Sequence, residues 1–278
     1  MEQLFEDTCM QCSKVITQAY STSFTLGIKT LHKKFHLPIY AIYGFVRCAD
    51  EIVDTFHGHD KRKLLQDFEK QTYEAIDQQL SLNPVLHAFQ CVVNKYKIDK
   101  SYIQAFLKSM EMDLDDQVYD RSLYEEYIYG SAEVVGLMCL KVFCEGDNEM
   151  FERLKKPACS LGAAFQKVNF LRDMKSDFKE RGRVYFPKVE YQKFSNQCKE
   201  EIEADIRKDF DEAYAGIMAL PRTARMGVYL AYVYYLKLFR KIQALPATHI
   251  LEERVRVPDN TKLALLLGSY VKYRLNAI

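Results

Sequence analysis

The stretch AIYGFVRCADEIVDTF, residues 41–56, decides how this chain folds. Tyr43, Arg47, Asp50 and Asp54 recur at spacings of four, three and four. At roughly 100° per residue they fall in one strip about 60–80° wide on a helix. Ile42, Val46, Ala49 and Val53 form a second strip beside it, and Phe45, Ile52 and Phe56 are expected to cover the far side. A helix that is apolar nearly all round is normally buried. Its carboxylates then face the interior or a cavity, where unpaired charge is costly. Arg47 can neutralise one acid and a divalent cation others, because Asp50 and Asp54, about 5–6 Å apart at Cβ, can reach the same ion or neighbouring ones. The plainer reading is a solvated helix face. With 38 acids in the chain a DxxxD pair carries little by itself, and it is the apolar surround that favours a site.

About 120 residues later the pattern returns in AFQKVNFLRDMKSDF, residues 164–178. Gln166, Asn169, Asp173 and Asp177 stack turn upon turn, with Phe165, Val168, Leu171 and Phe178 as apolar cover. One amide carbonyl and two carboxylates are hard oxygen donors suited to Mg²⁺. Arg172 adjoins Asp173, and Lys175, Lys179, Glu180, Arg181 and Arg183 follow. Such cations can hold phosphate oxygens; a solvated helix end explains Lys175 and Lys179 better than Arg172. Two such helices facing each other make an acidic pit that repulsion disfavours without cations. With Mg²⁺ bound, the pit becomes a diphosphate receptor and the diphosphate a leaving group. An allylic diphosphate would ionise there to a carbocation, which needs a dry pocket with aromatic faces. The 19 Tyr and 17 Phe supply faces, though many belong to the core.

Helical periodicity extends over nearly the whole chain, and period-two patterns are almost absent. Helices are expected near 5–19, 22–31, 38–56, 60–79, 83–96, 99–112, 122–145, 148–180, 197–218, 222–244 and 259–274. Pro84 and Pro221 suit helix starts, and Arg181-Gly182-Arg183 should break the long acid-bearing helix. No repeat, linker or low-complexity stretch interrupts the 278 residues. The fold class is therefore all-α, a single-domain bundle of ten or so helices over 1–278. A net charge of +1 offers no basic excess for nucleic acid. The polar start MEQLFEDTCMQCSK is no signal peptide, and no apolar run reaches the length of a membrane span. A cytoplasmic protein, able to lie peripherally against a membrane, is the expectation. The eight cysteines should be reduced, mostly as small core residues. Cys9-x-x-Cys12 and His57-Gly58-His59-Asp60 are better read as a buried helix face and a polar loop than as metal sites.

Four segments together resemble the squalene/phytoene synthase family, and most of all its bacterial phytoene synthases. They are Tyr20-Ser21-Thr22-Ser23-Phe24, IYAIYGFVRCADEIVDTF at 39–56, EEYIYGSAEVVGLM at 125–138, and GAAFQKVNFLRDMKSDFKERGRVYFP at 162–187. Order and spacing match, and the resemblance covers nearly the whole chain. It implies an isoprenoid-synthase fold with a central cavity and a Mg²⁺-dependent head-to-head condensation of two prenyl diphosphates, with Mn²⁺ as a substitute ion. For phytoene synthases the substrate is geranylgeranyl diphosphate, the intermediate a cyclopropylcarbinyl diphosphate, and NADPH is not used. The resemblance assigns Asp50, Asp54 and, less directly, Glu51 to a first metal motif, and Asn169, Asp173 and Asp177 to a second. It assigns Ser21, Tyr43, Arg47 and Arg172 to the diphosphate, with Gln166 at the head of the second stripe and Tyr185 near the pyrophosphate end. Tyr235 and Arg254 match a further Tyr/Arg pair. Tyr129 and Val135 match cavity-wall positions, and Phe24 the entrance of the prenyl pocket. Core packing alone is a rival account for four of these positions. Met112-Asp113-Leu114-Asp115-Asp116 is expected to be a solvated helix end or loop.

Three alternatives compete. A dehydrosqualene or squalene synthase would use farnesyl diphosphate in the same site. A non-catalytic family member would act as an assembly factor, but such members lose acids that are all present here. A head-to-tail prenyltransferase carries DDxxD runs, which DEIVD and NFLRD fit poorly.

Overall fold

The computed structural model describes residues 1–115, 119–187, 189–275 and 278, including their side chains except those of Glu180, Arg181 and Asp259. Asp116 and the side chains of Glu180 and Arg181, named above, thus lie outside the described residues. The described chain is helical, with no strand. In order the helices are α1 (Glu2–Tyr20), α2 (Thr22–Lys29), α3 (Lys33–Asp54), α4 (Lys61–Gln78), α5 (Pro84–Tyr96), α6 (Lys100–Met112) and α7 (Arg121–Ile128). After a π-helical turn, Tyr129–Glu133, come α8 (Val134–Cys144), α9 (Asn148–Arg181), α10 (Asn196–Ala219), α11 (Arg222–Gln243), α12 (Ala247–Glu252) and α13 (Asp259–Arg274).

The helix starts follow side-chain capping. Asn83 accepts from the amides of Val85 and Leu86 ahead of Pro84, Asp60 accepts from Lys63, and Asp147 accepts from Met150. Helix α3 begins earlier than Pro38, which sits in its second turn. A proline so near the start removes one backbone hydrogen bond without ending the helix. Beyond α3, Phe56 is 39% exposed in the following turn, so it does not cover the far side of the helix. That side is closed by Phe45, stacked 3.9 Å from Phe89 and 5.5 Å from Phe68.

Residues 121–144 do not form one straight helix. Taken whole, the segment is long and apolar enough to cross a bilayer, but more than half of its most apolar window is buried against the rest of the bundle. At its middle, Gly130 lets the π turn approach α6 closely: a Cβ there would lie 2.3 Å from the Ala105 carbonyl oxygen. Helices α9 and α10 pack side by side, clasped by the buried Lys167, whose Nζ donates to Asp205 at 2.6 Å and Asp209 at 2.7 Å. All eight cysteines are free.

Candidate active site

Helices α2, α3, α8, α9, α10 and α11, with the π turn and one end of α13, line a cavity of about 580 Å³. Its wall is apolar along most of its length, with Ile39, Leu140, Phe143, Leu154 and Ile217 among the lining residues. Polar groups gather at one end, where Ser21, Tyr43, Gln166, Arg172 and Tyr235 line it. Tyr43 and Gln166 head the two acid stripes, so the acids continue outward from that end. Phe24 stacks on Tyr43 at 4.7 Å and Phe165 on Tyr235 at 3.9 Å, which sets aromatic faces beside the polar groups. Ser21 ends α1 and caps α2, accepting from the Phe24 amide at 3.2 Å. Val135 is among the residues lining the wall.

On α3, Arg47 lies over the Tyr20 ring and pairs with Glu51 one turn on, and Asp50 follows at 3.8 Å. Glu51 also accepts from the Thr55 hydroxyl at 2.6 Å. Against a burial that pushes it up, these Thr55 and Arg47 hydrogen bonds hold the Glu51 carboxyl below the usual range. Asp50 differs: burial, opposed by Arg47 but reinforced by Asp54, Asp113 and Glu51, pushes its carboxyl up to about 7.

On α9, Asp173 is held by Arg172 and by Arg254, whose Nε lies 2.7 Å from Oδ1. Arg254 follows α12, a helix absent from the predicted set. Asn169 Oδ1 accepts from the Tyr235 hydroxyl at 3.3 Å, and Asp177 is buried.

The chain beyond the second stripe reaches back to the first through Arg183 and Asp113, of which sequence reasoning missed Asp113. Gly182 ends α9 with φ +68°, a left-handed conformation glycine adopts without strain, and turns the chain back. Arg183 then reaches Asp54 at 3.9 Å and Asp113 at 3.2 Å. Asp113 is not solvated: it is 8% exposed and accepts from Tyr127 at 2.8 Å and from Tyr185 at 3.1 Å. The signal was in the register of α6. Phe106, Met110 and Asp113 share its buried face at i, i+4 and i+7, so an acid there continues the core stripe.

Tyr129 does not wall the cavity. It is 38% exposed, and Ser131, Ala132 and Val135 line the cavity from that segment. The π turn beginning at Tyr129 shifts the register of this segment, which goes with Ser131, Ala132 and Val135, rather than Tyr129, lining the cavity.

The carboxylates and Asn169 suit Mg²⁺ chemically. Each stripe offers two carboxylates on consecutive turns, yet among the described residues no three acid, His or Cys side chains converge into a ready-made ion site. That division fits an ion normally held by one or two carboxylates plus substrate phosphates.

Known proteins resemble the chain in sequence and in fold. The chain is 27% identical to phytoene synthase 1 of Solanum lycopersicum over 97% of its own length and 69% of that protein. It is 26% identical to the 4,4'-diapophytoene synthase of Staphylococcus haemolyticus over 73% of its length and 70% of that protein. A dehydrosqualene synthase crystal structure superimposes with a TM-score of 0.81 at 23% identity, covering 98% of both chains. The squalene/phytoene synthase model matches residues 17–261, and the chain belongs to that family.

Proposed function

We propose that this protein condenses two molecules of geranylgeranyl diphosphate head to head to give phytoene. The observation that carries the reading is the join between an apolar cavity and an end crowded with arginines and carboxylates. Arg47, Arg172 and Arg254 would hold diphosphate oxygens through planar, bidentate contacts. Asp50, Asp54, Asn169, Asp173 and Asp177 would hold Mg²⁺, which when bound supplies the positive charge that makes diphosphate a good leaving group. The Tyr43, Phe24, Phe165 and Tyr235 rings offer π-faces to an allylic cation, and the apolar wall excludes the water that would quench it.

The chemistry balances as two ionisations. In each, a C–O bond breaks, its electron pair leaves on the diphosphate, carbon–carbon bonding follows, and one proton is lost. Loss of a proton rather than gain of a hydride ends the sequence, so no NADPH is required. The same site would serve farnesyl diphosphate, a reading favoured by the similarity to a 4,4'-diapophytoene synthase. An assembly factor is disfavoured, since both acid motifs are intact. Incubation with Mg²⁺ and each diphosphate, followed by mass spectrometry, tests the assignment: a C40 product from the C20 substrate is expected, and a C30 product alone would overturn it.

Such substrates partition into membranes, and a cytoplasmic enzyme working against a bilayer surface is part of the proposal. Its support is α13, which exposes Leu263, Leu267, Tyr270 and Val271 on its outer face while Lys262 and Leu265 of the same helix line the cavity. Flotation with anionic liposomes should carry the protein upward, and Leu263→Glu/Leu267→Glu should leave it in the lower fraction. Equal flotation of both proteins would remove α13 as the contact.

A further inference from the structure

Five glycines line the cavity: Gly27, Gly136, Gly162, Gly216 and Gly227. Four have a packing reason to lack a side chain. A Cβ would lie 3.1 Å from the Ala158 carbonyl oxygen at Gly136, 2.7 Å from that of Ala132 at Gly162, 2.2 Å from Pro157 Cβ at Gly216 and 2.5 Å from Leu31 Cδ2 at Gly227. Gly27 has none. Its nearest neighbour to an added Cβ is the Gly227 carbonyl oxygen at 3.9 Å, an ordinary contact, and nothing else comes within 4 Å. Nor does the backbone require glycine, because Gly27 lies within α2 and is not among the positive-φ residues. Glycine inside a helix costs about 1 kcal/mol relative to alanine. The residue is buried, so the open space a side chain would enter is the cavity itself.

We infer that Gly27 sets how much prenyl chain the cavity accepts: its missing side chain is the room that admits the longer of two prenyl diphosphates. This rests on the condensation proposed above. Gly27 stands about 9 Å beyond Ser21 along α2, at 1.5 Å per residue. That puts it past the polar end, among apolar neighbours that include Ile28, Leu31 and Val228. Two hydrocarbon chains must share a cavity of about 580 Å³, so bulk added here is felt most by the longer substrate. A single misfitting methylene in an apolar pocket changes selectivity by roughly 10-fold or more.

The test uses the full chain and its Gly27→Ala and Gly27→Val variants. Binding of unreactive C20 and C15 thiodiphosphates is measured by calorimetry, and products from the C20 and C15 diphosphates by mass spectrometry. The ratio of C20 to C15 Kd should rise stepwise from Gly to Ala to Val, reaching at least about tenfold, with the C40:C30 product ratio falling in parallel. An unchanged Kd ratio in folded Gly27→Val overturns the inference, and if that variant fails to fold by circular dichroism, Gly27→Ala decides. A wild-type chain that binds the thiodiphosphates but condenses neither substrate refutes the proposed reaction, while the Kd ratios still judge Gly27. A chain that binds neither compound refutes both.

Discussion

Asp50→Asn should make the metal-free protein more stable at alkaline pH while destroying its activity. Burial, with Asp54, Asp113 and Glu51 adding to it, raises the Asp50 carboxyl from 3.8 to about 7. A folded-state pKa above the unfolded one means that the protonated form favours folding. The contribution is fully present below about pH 3.8 and is lost as pH climbs through about 7. Taken at face value, a shift of that size corresponds to about 4 kcal/mol. The side chain is 33% exposed, so solvent screening reduces the expected effect to about 1–2 kcal/mol. Asparagine keeps the shape and removes the charge. It sacrifices little else, because Arg47 approaches Asp50 only to 3.8 Å and keeps its pairing with Glu51. Urea unfolding in chelator should therefore give equal midpoints for both proteins near pH 4 and a higher one for Asp50→Asn at pH 8. Glu133 and Asp209 are also shifted upward by burial, but they are common to both proteins and cancel in the difference, while Asp113, coupled to Asp50, is relieved of a like charge in the variant and moves the difference in the same direction. Added Mg²⁺ should stabilise the wild type at pH 8 more than the variant. A variant less stable than wild type at pH 8, or a difference that does not change with pH, would refute the reasoning.

Two further outcomes follow from the same geometry. Lys167→Ala should lower stability by about 2–3 kcal/mol, read from the urea midpoint at constant slope. It strands Asp205 and Asp209, and the partial exposure of Asp205 keeps the loss below the roughly 3–5 kcal/mol of a fully buried pair. Asp177→Asn should leave the circular dichroism spectrum unchanged and cut product formation by on the order of 10²-fold, the scale at which losing one charge-stabilising group is felt. Undiminished turnover would remove the second stripe from the mechanism.

Much of this was legible because helices announce themselves through period. The stripes on α3 and α9 needed only spacing and apolar surroundings to be placed on buried helices facing a common space. What failed did so where register is not a matter of counting. The family resemblance places Tyr129 on the cavity wall, and the π turn at Tyr129–Glu133, which local period does not announce, goes with a side chain that is 38% exposed. The Asp113 carboxyl was read from its acidic neighbours rather than from its place on the buried face of α6, and its partners Tyr127, Arg183 and Tyr185 lie 14 to 72 residues away. The Arg183 and Tyr185 contacts follow from the turn at Gly182 after α9; the break was legible, but where the returning chain lands is set by topology that local pattern does not encode. Gly27 is a third case, since only the space around it distinguishes it from the other cavity glycines.

Asp50 and Glu51 are adjacent carboxyls on one helix, yet their environments move them in opposite directions. Such divergence separates roles. Glu51 is tied to Arg47 on one oxygen and to the Thr55 hydroxyl on the other, and stays charged. Its lone pairs are committed to holding the guanidinium in place, which fits a positioning residue for Arg47 better than an ion ligand. Asp50 has the weaker tie to Arg47 and carries a charge that its surroundings oppose, so it gains most from any cation brought near. The same division recurs across the site. Arg172 and Arg254 hold Asp173, and Arg183 holds Asp113 and reaches Asp54. Among the described residues, the guanidiniums of Arg47, Arg172, Arg183 and Arg254 thus reach carboxylates of both stripes and Asp113. These arginines lower the repulsion that would otherwise push the stripes apart. Because a guanidinium's planar fork suits a carboxylate and a phosphate equally, the groups that steady the acids are also those suited to receive a diphosphate.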